Sequence, residues 1–270
     1  MKGRVLIIAG SDSGGGAGIQ ADIKTVTMFD AFAMTAITAL TAQNTQGVFG
    51  VLPIAPDFIR QQIEVVLDDI GADAIKTGML HDRAVIETLA AVLAERASGV
   101  PLVVDPVMAA KGGARLIEPD AVDALKRLLI GRATVLTPNL PEAEILTGRP
   151  IGDVAAMRAA GESLLALGCR AVLVKGGHLA GDVVSDVLVG EGGTRVWESP
   201  RLATRHTHGT GCSLASAIAA GLAQGLAVVS AVERARDYVQ RAIASAPGFG
   251  HGHGPLDHAH PLRRAADPGR

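Results

Sequence analysis

The chain has 270 residues, 48% of them hydrophobic, 19% charged and 3% aromatic, with a formal net charge of -2. That length suits one large α/β domain, and a near-neutral surface gives no reason to expect nucleic acid or an anionic membrane as a partner. With so few aromatic residues the core must be built from Ala, Val, Leu and Ile, the palette of parallel strands covered on both faces by helices.

In chain order, Val5–Ala9 is a short β-rich run ending at Gly10. It is too short to span a membrane and lacks the longer apolar region and cleavage site of an export signal, so the expectation is a cytoplasmic protein. A helix is predicted over Asp57–Ile70, where Phe58, Ile59, Ile63, Val66, Leu67 and Ile70 recur at helical spacing. Ala74–Lys76 reads as a buried strand, and Asp82 as the cap of a second helix carrying Val85, Ile86, Leu89 and Leu93. Leu102–Val104, Thr134–Leu136 and Ala171–Val174 are further buried strands. A third helix runs from Asp153 to Leu167 and stops at Gly168. Val183–Val189 and Thr194–Glu198, joined through Gly190-Glu191-Gly192-Gly193, read as a β-hairpin. Helices follow from Cys212 to about Gly225 and from Ser230 to Ser245, and from Gly248 the chain turns rich in Gly, His and Pro. This order implies a mainly parallel sheet with right-handed crossovers and helices on both faces, in a single domain over 1–270 with a tail at 248–270.

In such sheets ligands bind beyond the carboxyl ends of the strands, and the unusual residues fall there. The first strand runs into Gly10-Ser11-Asp12-Ser13-Gly14-Gly15-Gly16-Ala17-Gly18, where glycines permit close approach of a ligand to the backbone. Gly16 to Ala21 satisfies a loose dinucleotide pattern, but Met34 to Gln46 offers no carboxylate to hold a ribose. His208-Gly209-Thr210-Gly211-Cys212 opens an apolar helix, which makes a second anion site from free N–H groups and the helix dipole. A thiol at a helix start, such as Cys212, is expected to ionise more easily than usual. Other strand ends carry Lys76-Thr77-Gly78-Met79, Asp105-Pro106-Val107-Met108, Asn139 with Glu142, and Lys175-Gly176-Gly177. A carboxylate, an Asn/Glu pair and a lysine at one sheet edge suit Mg-ATP chemistry, since the metal takes oxygen ligands and the lysine offsets phosphate charge. Taken singly, each of these residues is also an ordinary strand terminus. The two cysteines cannot frame a disulfide fold, and Cys169 reads as structural. The eight histidines form no metal box, and the G-x-x-x-x-G-K-[ST] phosphate loop is absent.

The blocks Ala9–Thr25, Thr41-Ala42-Gln43-Asn44-Thr45, Asp105-Pro106-Val107-Met108, Ala110-Lys111-Gly112-Gly113, Pro138–Glu144 and Thr207–Cys212 closely resemble the hydroxymethylpyrimidine/phosphomethylpyrimidine kinases. The resemblance extends from about residue 4 to the tail at Gly252–His258. It implies the three-layer α/β/α sandwich of the ribokinase-like superfamily, with ATP and Mg2+ as cosubstrate and metal. It implies two successive phosphorylations of 4-amino-5-hydroxymethyl-2-methylpyrimidine, to the monophosphate and then the diphosphate, in thiamine biosynthesis. By the same resemblance Gln43 reads the pyrimidine edge, with Gly10, Asp22, Met79 and Val107 as the rest of that pocket. Lys175, Asn139, Glu142 and Asp105 form the Mg-ATP side, the metal being held by Asp105 and Glu142 through water. Gly209, Thr210, Gly211 and Cys212 form the anion hole, with Cys212 where many related sugar kinases carry an Asp base, and Ala109–Leu116 is a flap. A pyridoxal kinase and a non-catalytic pyrimidine-binding protein are the rival readings. The oligomeric state is left open, with a homodimer as the candidate.

Overall fold

The computed structural model describes residues 1–109, 113 and 116–266. In chain order these form β1 (Arg4–Asp12), α1 (Gly18–Met28), β2 (Phe32–Asn44), β3 (Gly47–Pro53), α2 (Pro56–Asp69), β4 (Ala74–Thr77), α3 (Arg83–Arg96), β5 (Leu102–Val104) and α4 (Pro119–Leu128). A 3-10 turn (Ile130–Arg132) leads to β6 (Val135–Leu136), α5 (Leu140–Thr147), α6 (Val154–Leu165), β7 (Ala171–Val174), β8 (Val183–Gly190) and β9 (Gly193–Pro200). The chain then closes with α7 (Thr210–Ala223), α8 (Val228–Ala244) and α9 (His260–Ala266).

All the strands join one sheet in the order β3-β2-β1-β4-β5-β6-β7-β8-β9. The six from β2 to β7 in that order are parallel, while β3 at one edge and the β8–β9 hairpin at the other are antiparallel. Alternation along each strand divides its side chains between two cores. Leu6 and Ile8 of β1 join the core beneath α2 to α6, whereas Val5, Ile7 and Ala9 join the core beneath α1, α7 and α8. Val172 and Val174 of β7 take the first core, Ala171 and Leu173 the second. The result is a three-layer α/β/α sandwich. α7 lies on the sheet with every residue from Ser213 to Leu222 buried, which explains its run of Ser, Ala and Gly.

The structure adds elements that the sequence does not predict. β2 is thirteen residues long, yet its Ala/Thr-rich run lacks a clear apolar alternation. α1 begins among glycines with no side-chain cap, and β1 runs on past Ala9 to Asp12. The flap expected over Ala109–Leu116 falls mostly on residues 110–112 and 114–115, outside the described residues. No helix among the described residues is long and apolar enough to cross a membrane.

Candidate active site

Where β1 ends, Asp12 turns its carboxylate back into the glycine loop. It accepts the N–H groups of Gly14 at 2.8 Å, Gly16 at 3.1 Å and Ala17 at 2.8 Å. His208 Nε2 lies 2.8 Å from the same carboxylate, across 196 residues of sequence. The loop that the sequence offers as an anion cradle is thus filled by the chain's own anion. Burial pushes the Asp12 carboxyl up, but His208 and the N–H groups outweigh it and hold the group below the usual carboxylate value. Neither Asp12 nor His208 has a local motif that announces this pairing.

The second glycine-rich segment remains available. Gly209 caps α7 in the left-handed conformation at φ 83°, and a Cβ there would run into the Gly16 carbonyl, so the helix entry rests on the first loop. The Thr210 hydroxyl donates to Thr207 O at 2.7 Å. No side chain among the described residues caps α7, and with Thr210 N–H taken by Thr207 O at 3.3 Å it is the Gly211 and Cys212 N–H groups that are left for a ligand. Beside them, Lys175 Nζ donates to Asp105 Oδ1 at 2.9 Å, and a Cβ on Gly211 would stand 3.1 Å from that ammonium. Asp105 follows β5 and also accepts the Thr137 hydroxyl at 3.2 Å. Asn139 and Glu142 form a reciprocal capping box at the start of α5, with bonds of 2.8 and 2.9 Å. The ends of β5, β6 and β7 and the start of α7 therefore bring Asp105, Asn139, Glu142, Lys175 and Gly211 to one region, held by backbone pairing of Lys175 N–H with Pro138 O at 2.9 Å.

The other half of the cleft edge comes from β1, β2 and β4. A Cβ on Gly10 would stand 3.0 Å from Met79 Sδ, and the Thr38 hydroxyl donates to Met79 O at 2.6 Å. Gln43 is half-buried at the end of β2, and Val107 is half-buried just past β5. Among the described residues the Gln43 amide makes two long contacts, 3.1 Å to the Thr41 hydroxyl and 3.3 Å to His208 Nε2. His208 has Asp12 to donate to, so the amide nitrogen facing it gains little there and can turn to a ligand. Asp22 departs from the expected pocket lining. It is fully buried, with Lys76 Nζ at 2.8 and 3.0 Å and the Ser216 hydroxyl at 2.7 Å, so its carboxylate is already engaged within the chain. Lys76, also fully buried, is a charged neighbour of the site whose role the sequence does not signal. A cavity of about 140 Å³ lined by Ile75, Leu93, Ala97 and Leu102 lies at the opposite end of the strands and takes no part.

A model of the phosphomethylpyrimidine kinase family matches residues 12–257. The chain belongs to that family. It is, accordingly, a phosphotransferase. It is 51% identical over 258 residues to the thiamine biosynthesis bifunctional protein ThiED of Geobacter sulfurreducens, covering 95% of this chain and 52% of that one, so it spans about half that relative's length. It is 48% identical over 255 residues to the hydroxymethylpyrimidine/phosphomethylpyrimidine kinase of Streptomyces coelicolor, covering 94% of this chain and 93% of the relative. The Bacillus subtilis pyridoxal kinase, solved as an ADP complex, matches with a TM-score of 0.90 at 38% identity over 97% of this chain and 99% of that one.

The electrostatics of this kinase correct one expectation. Cys212 lies in the first turn of α7, yet its thiol is pushed up to about 11. Burial is the main cause, and the Asp22 and Asp105 carboxylates add to it. Lys76 and the Gly18 N–H pull the other way without prevailing. Part of the residue's surface is open, but its sulfur sits among these buried charges. Cys169 is buried, bonds to Leu164 O at 3.4 Å and is likewise raised to about 11 by burial. Lys175 loses charge preference to burial, but Asp105 and Glu142 more than restore it and its value is raised.

Two predictions follow from these charges. Alkylation of Cys212 by iodoacetamide at pH 7.5 should be slow and comparable with that of Cys169, rising only as the pH approaches about 11. A fast phase at neutral pH, mapped to Cys212 by mass spectrometry, would show a resting thiolate. Glu142 is raised from its ordinary 4.5 to about 7, chiefly by burial, with Lys175 opposing and Asp105 assisting. Between those values the folded chain holds a proton that the unfolded chain has released, so this group makes stability fall as pH rises from about 4.5 to 7. Glu142→Gln, which preserves the capping acceptor, should flatten that part of a Tm-against-pH curve.

Proposed function

We propose that this kinase transfers the γ-phosphoryl group of ATP to the hydroxymethyl group of 4-amino-5-hydroxymethyl-2-methylpyrimidine, and a second to the monophosphate, in thiamine biosynthesis. The observation that carries the reading is the convergence of Lys175, Asp105 and the uncapped first turn of α7 beside Gly10, Met79 and Gln43. Lys175 and the N–H groups of Gly211 and Cys212 stabilise charge on the phosphoryl group in flight. The Gln43 amide, which both donates and accepts, reads the edge of the pyrimidine, with Val107 and Met79 against the ring.

Mg2+ fits the donors present. No group of three or more His, Cys, Asp or Glu among the described residues could hold a metal alone. A nucleotide-bound Mg2+ needs only one or two carboxylates, with waters and phosphate oxygens completing its shell. Asp105 and Glu142 would supply them, mainly through water, and the ion would neutralise charge on the phosphates. Asn139 enters through the capping box that aims Glu142. The loose transition state of phosphoryl transfer asks for position and charge more than for a strong base, which agrees with a neutral Cys212. The chain works in this reading as one cytoplasmic kinase domain, with a homodimer as the candidate assembly.

Incubation with ATP-Mg and the pyrimidine should yield the monophosphate and then the diphosphate, followed by chromatography of the products. ADP formed with pyridoxine and none with the pyrimidine would hand the site to a pyridoxal-kinase reading. Gln43→Ala should weaken pyrimidine binding by about 1–3 kcal/mol through unpaired polar ring atoms and leave ATP affinity unchanged. Equal weakening of both ligands would make Gln43 a support of the fold.

A further inference from the structure

The Gly/His/Pro-rich tail reads in the sequence as a terminal loop, but the chain from Gly248 to His258 is threaded between two parts of the site. His253 N–H donates to Thr45 O at 2.8 Å and Gly252 N–H to the Thr45 hydroxyl at 3.2 Å. Thr45 follows directly on β2, two residues past Gln43. A Cβ on Gly252 would run into the Thr45 carbonyl, so only glycine fits there without moving that tip. Two residues on, His208 N–H donates to Gly254 O at 3.1 Å, and Pro255 bridges to His208. His258 is buried, its Nε2 lies 2.9 Å from the Ser213 hydroxyl, and its backbone carbonyl accepts from Tyr238 of α8 at 2.9 Å. Ser213 immediately follows Cys212 and is fully buried. Burial pulls the His258 imidazole down to about 4, with Lys24 and His260 adding to it, so it faces Ser213 as a neutral ring.

We propose that residues 248–258 are a strap that sets the spacing between the acceptor-reading end of β2 and the phosphate-binding entry of α7, with Gly252 and His258 as positioning residues for phosphoryl transfer. One end of the strap holds Thr45, and through it Gln43. The other holds His208 and Ser213, which flank the Gly209–Cys212 turn. Shifting either contact changes the distance from the acceptor oxygen to the anion site without touching the Asp105, Asn139, Glu142 and Lys175 group. The strap rests on the reading of Gln43 and the α7 entry given above.

The test is steady-state kinetics with both substrates varied, alongside Tm. Gly252→Ala should lower kcat/KM for the pyrimidine by at least about tenfold, because a small misplacement of reacting groups is enough, while KM for ATP-Mg stays put. His258→Leu should do the same, and His258→Gln, whose amide can still hydrogen-bond Ser213, should recover most of the loss. Gly192→Ala, in open space at the β8–β9 turn, is the control and should change nothing. A folded Gly252→Ala with normal pyrimidine kinetics, or one whose KM for ATP-Mg rises, overturns the strap. If Gly252→Ala does not fold, the His258 pair decides, and a loss that glutamine does not recover overturns it. Gln43→Ala run in parallel separates the two ideas. Loss in Gln43→Ala alone removes the strap and keeps the reading of Gln43, and loss in Gly252→Ala alone removes the reading of Gln43 and with it the strap as a spacer for that amide.

Discussion

The carboxylate of Asp12 decides how the two glycine-rich segments meet. Without it, the N–H groups of Gly14, Gly16 and Ala17 would lose their shared acceptor, and for the buried Gly16 an unsatisfied donor costs about 1–3 kcal/mol. With it, the loop closes tightly enough that Gly209 can sit on the Gly16 carbonyl, and His208 is drawn in from the far end of the chain. The start of α7 is thereby placed against the ends of β5 and β7. That seating also brings Lys175 and its partner Asp105 alongside Gly211.

Charge in this region is arranged in two layers. Lys175 and Asp105 form a pair at the cleft, where an arriving phosphate can compete for the ammonium. Lys76 and Asp22 form a second pair behind it, with no exposed surface on either side chain. A buried ion pair is weak evidence for stability, because desolvation offsets most of the attraction and an apolar pair of equal volume often does as well. Its position is more informative than its energy. Ser216 of α7 and Lys76 of β4 both bond to Asp22 of α1, so the pair locks three elements under the anion site.

Much of the layout is legible in the sequence, and for a physical reason. Strands buried on both faces, such as Ala171–Val174 and Leu102–Val104, appear as uninterrupted apolar runs, and Asp82 and Asp153 cap helices where their neighbours predict them. Because strand ends share one edge of a parallel sheet, Asp105, Asn139, Glu142 and Lys175 could be grouped before any coordinates. What stayed hidden depends on distance along the chain or on depth. The partnership of Asp12 with His208 spans 196 residues, and the burial of Asp22 against Lys76 spans 54. β2 escaped because Ala and Thr give little contrast between its faces, and the tail because glycines that look permissive are in fact required by close packing.

Cys212 shows how magnitude decides between two sound rules. A helix N-terminus favours a nearby anion by roughly 0.3–1 kcal/mol, less than one pKa unit at about 1.4 kcal/mol each. Burial works in the opposite direction, by as much as about 3–5 units when complete, and Cys212, partly open, is raised from 9.0 to about 11. Burial therefore wins at Cys212, and two carboxylates nearby enlarge the margin. A neutral thiol also suits a site that must accept two different nucleophiles. A thiolate would assist a neutral hydroxyl but repel the anionic phosphate of a monophosphate, raising one rate by lowering the other. In the proposed reading a thiol opposes neither, and charge stabilisation in both steps falls to Lys175 and the backbone N–H groups of α7, whose charge does not change between them.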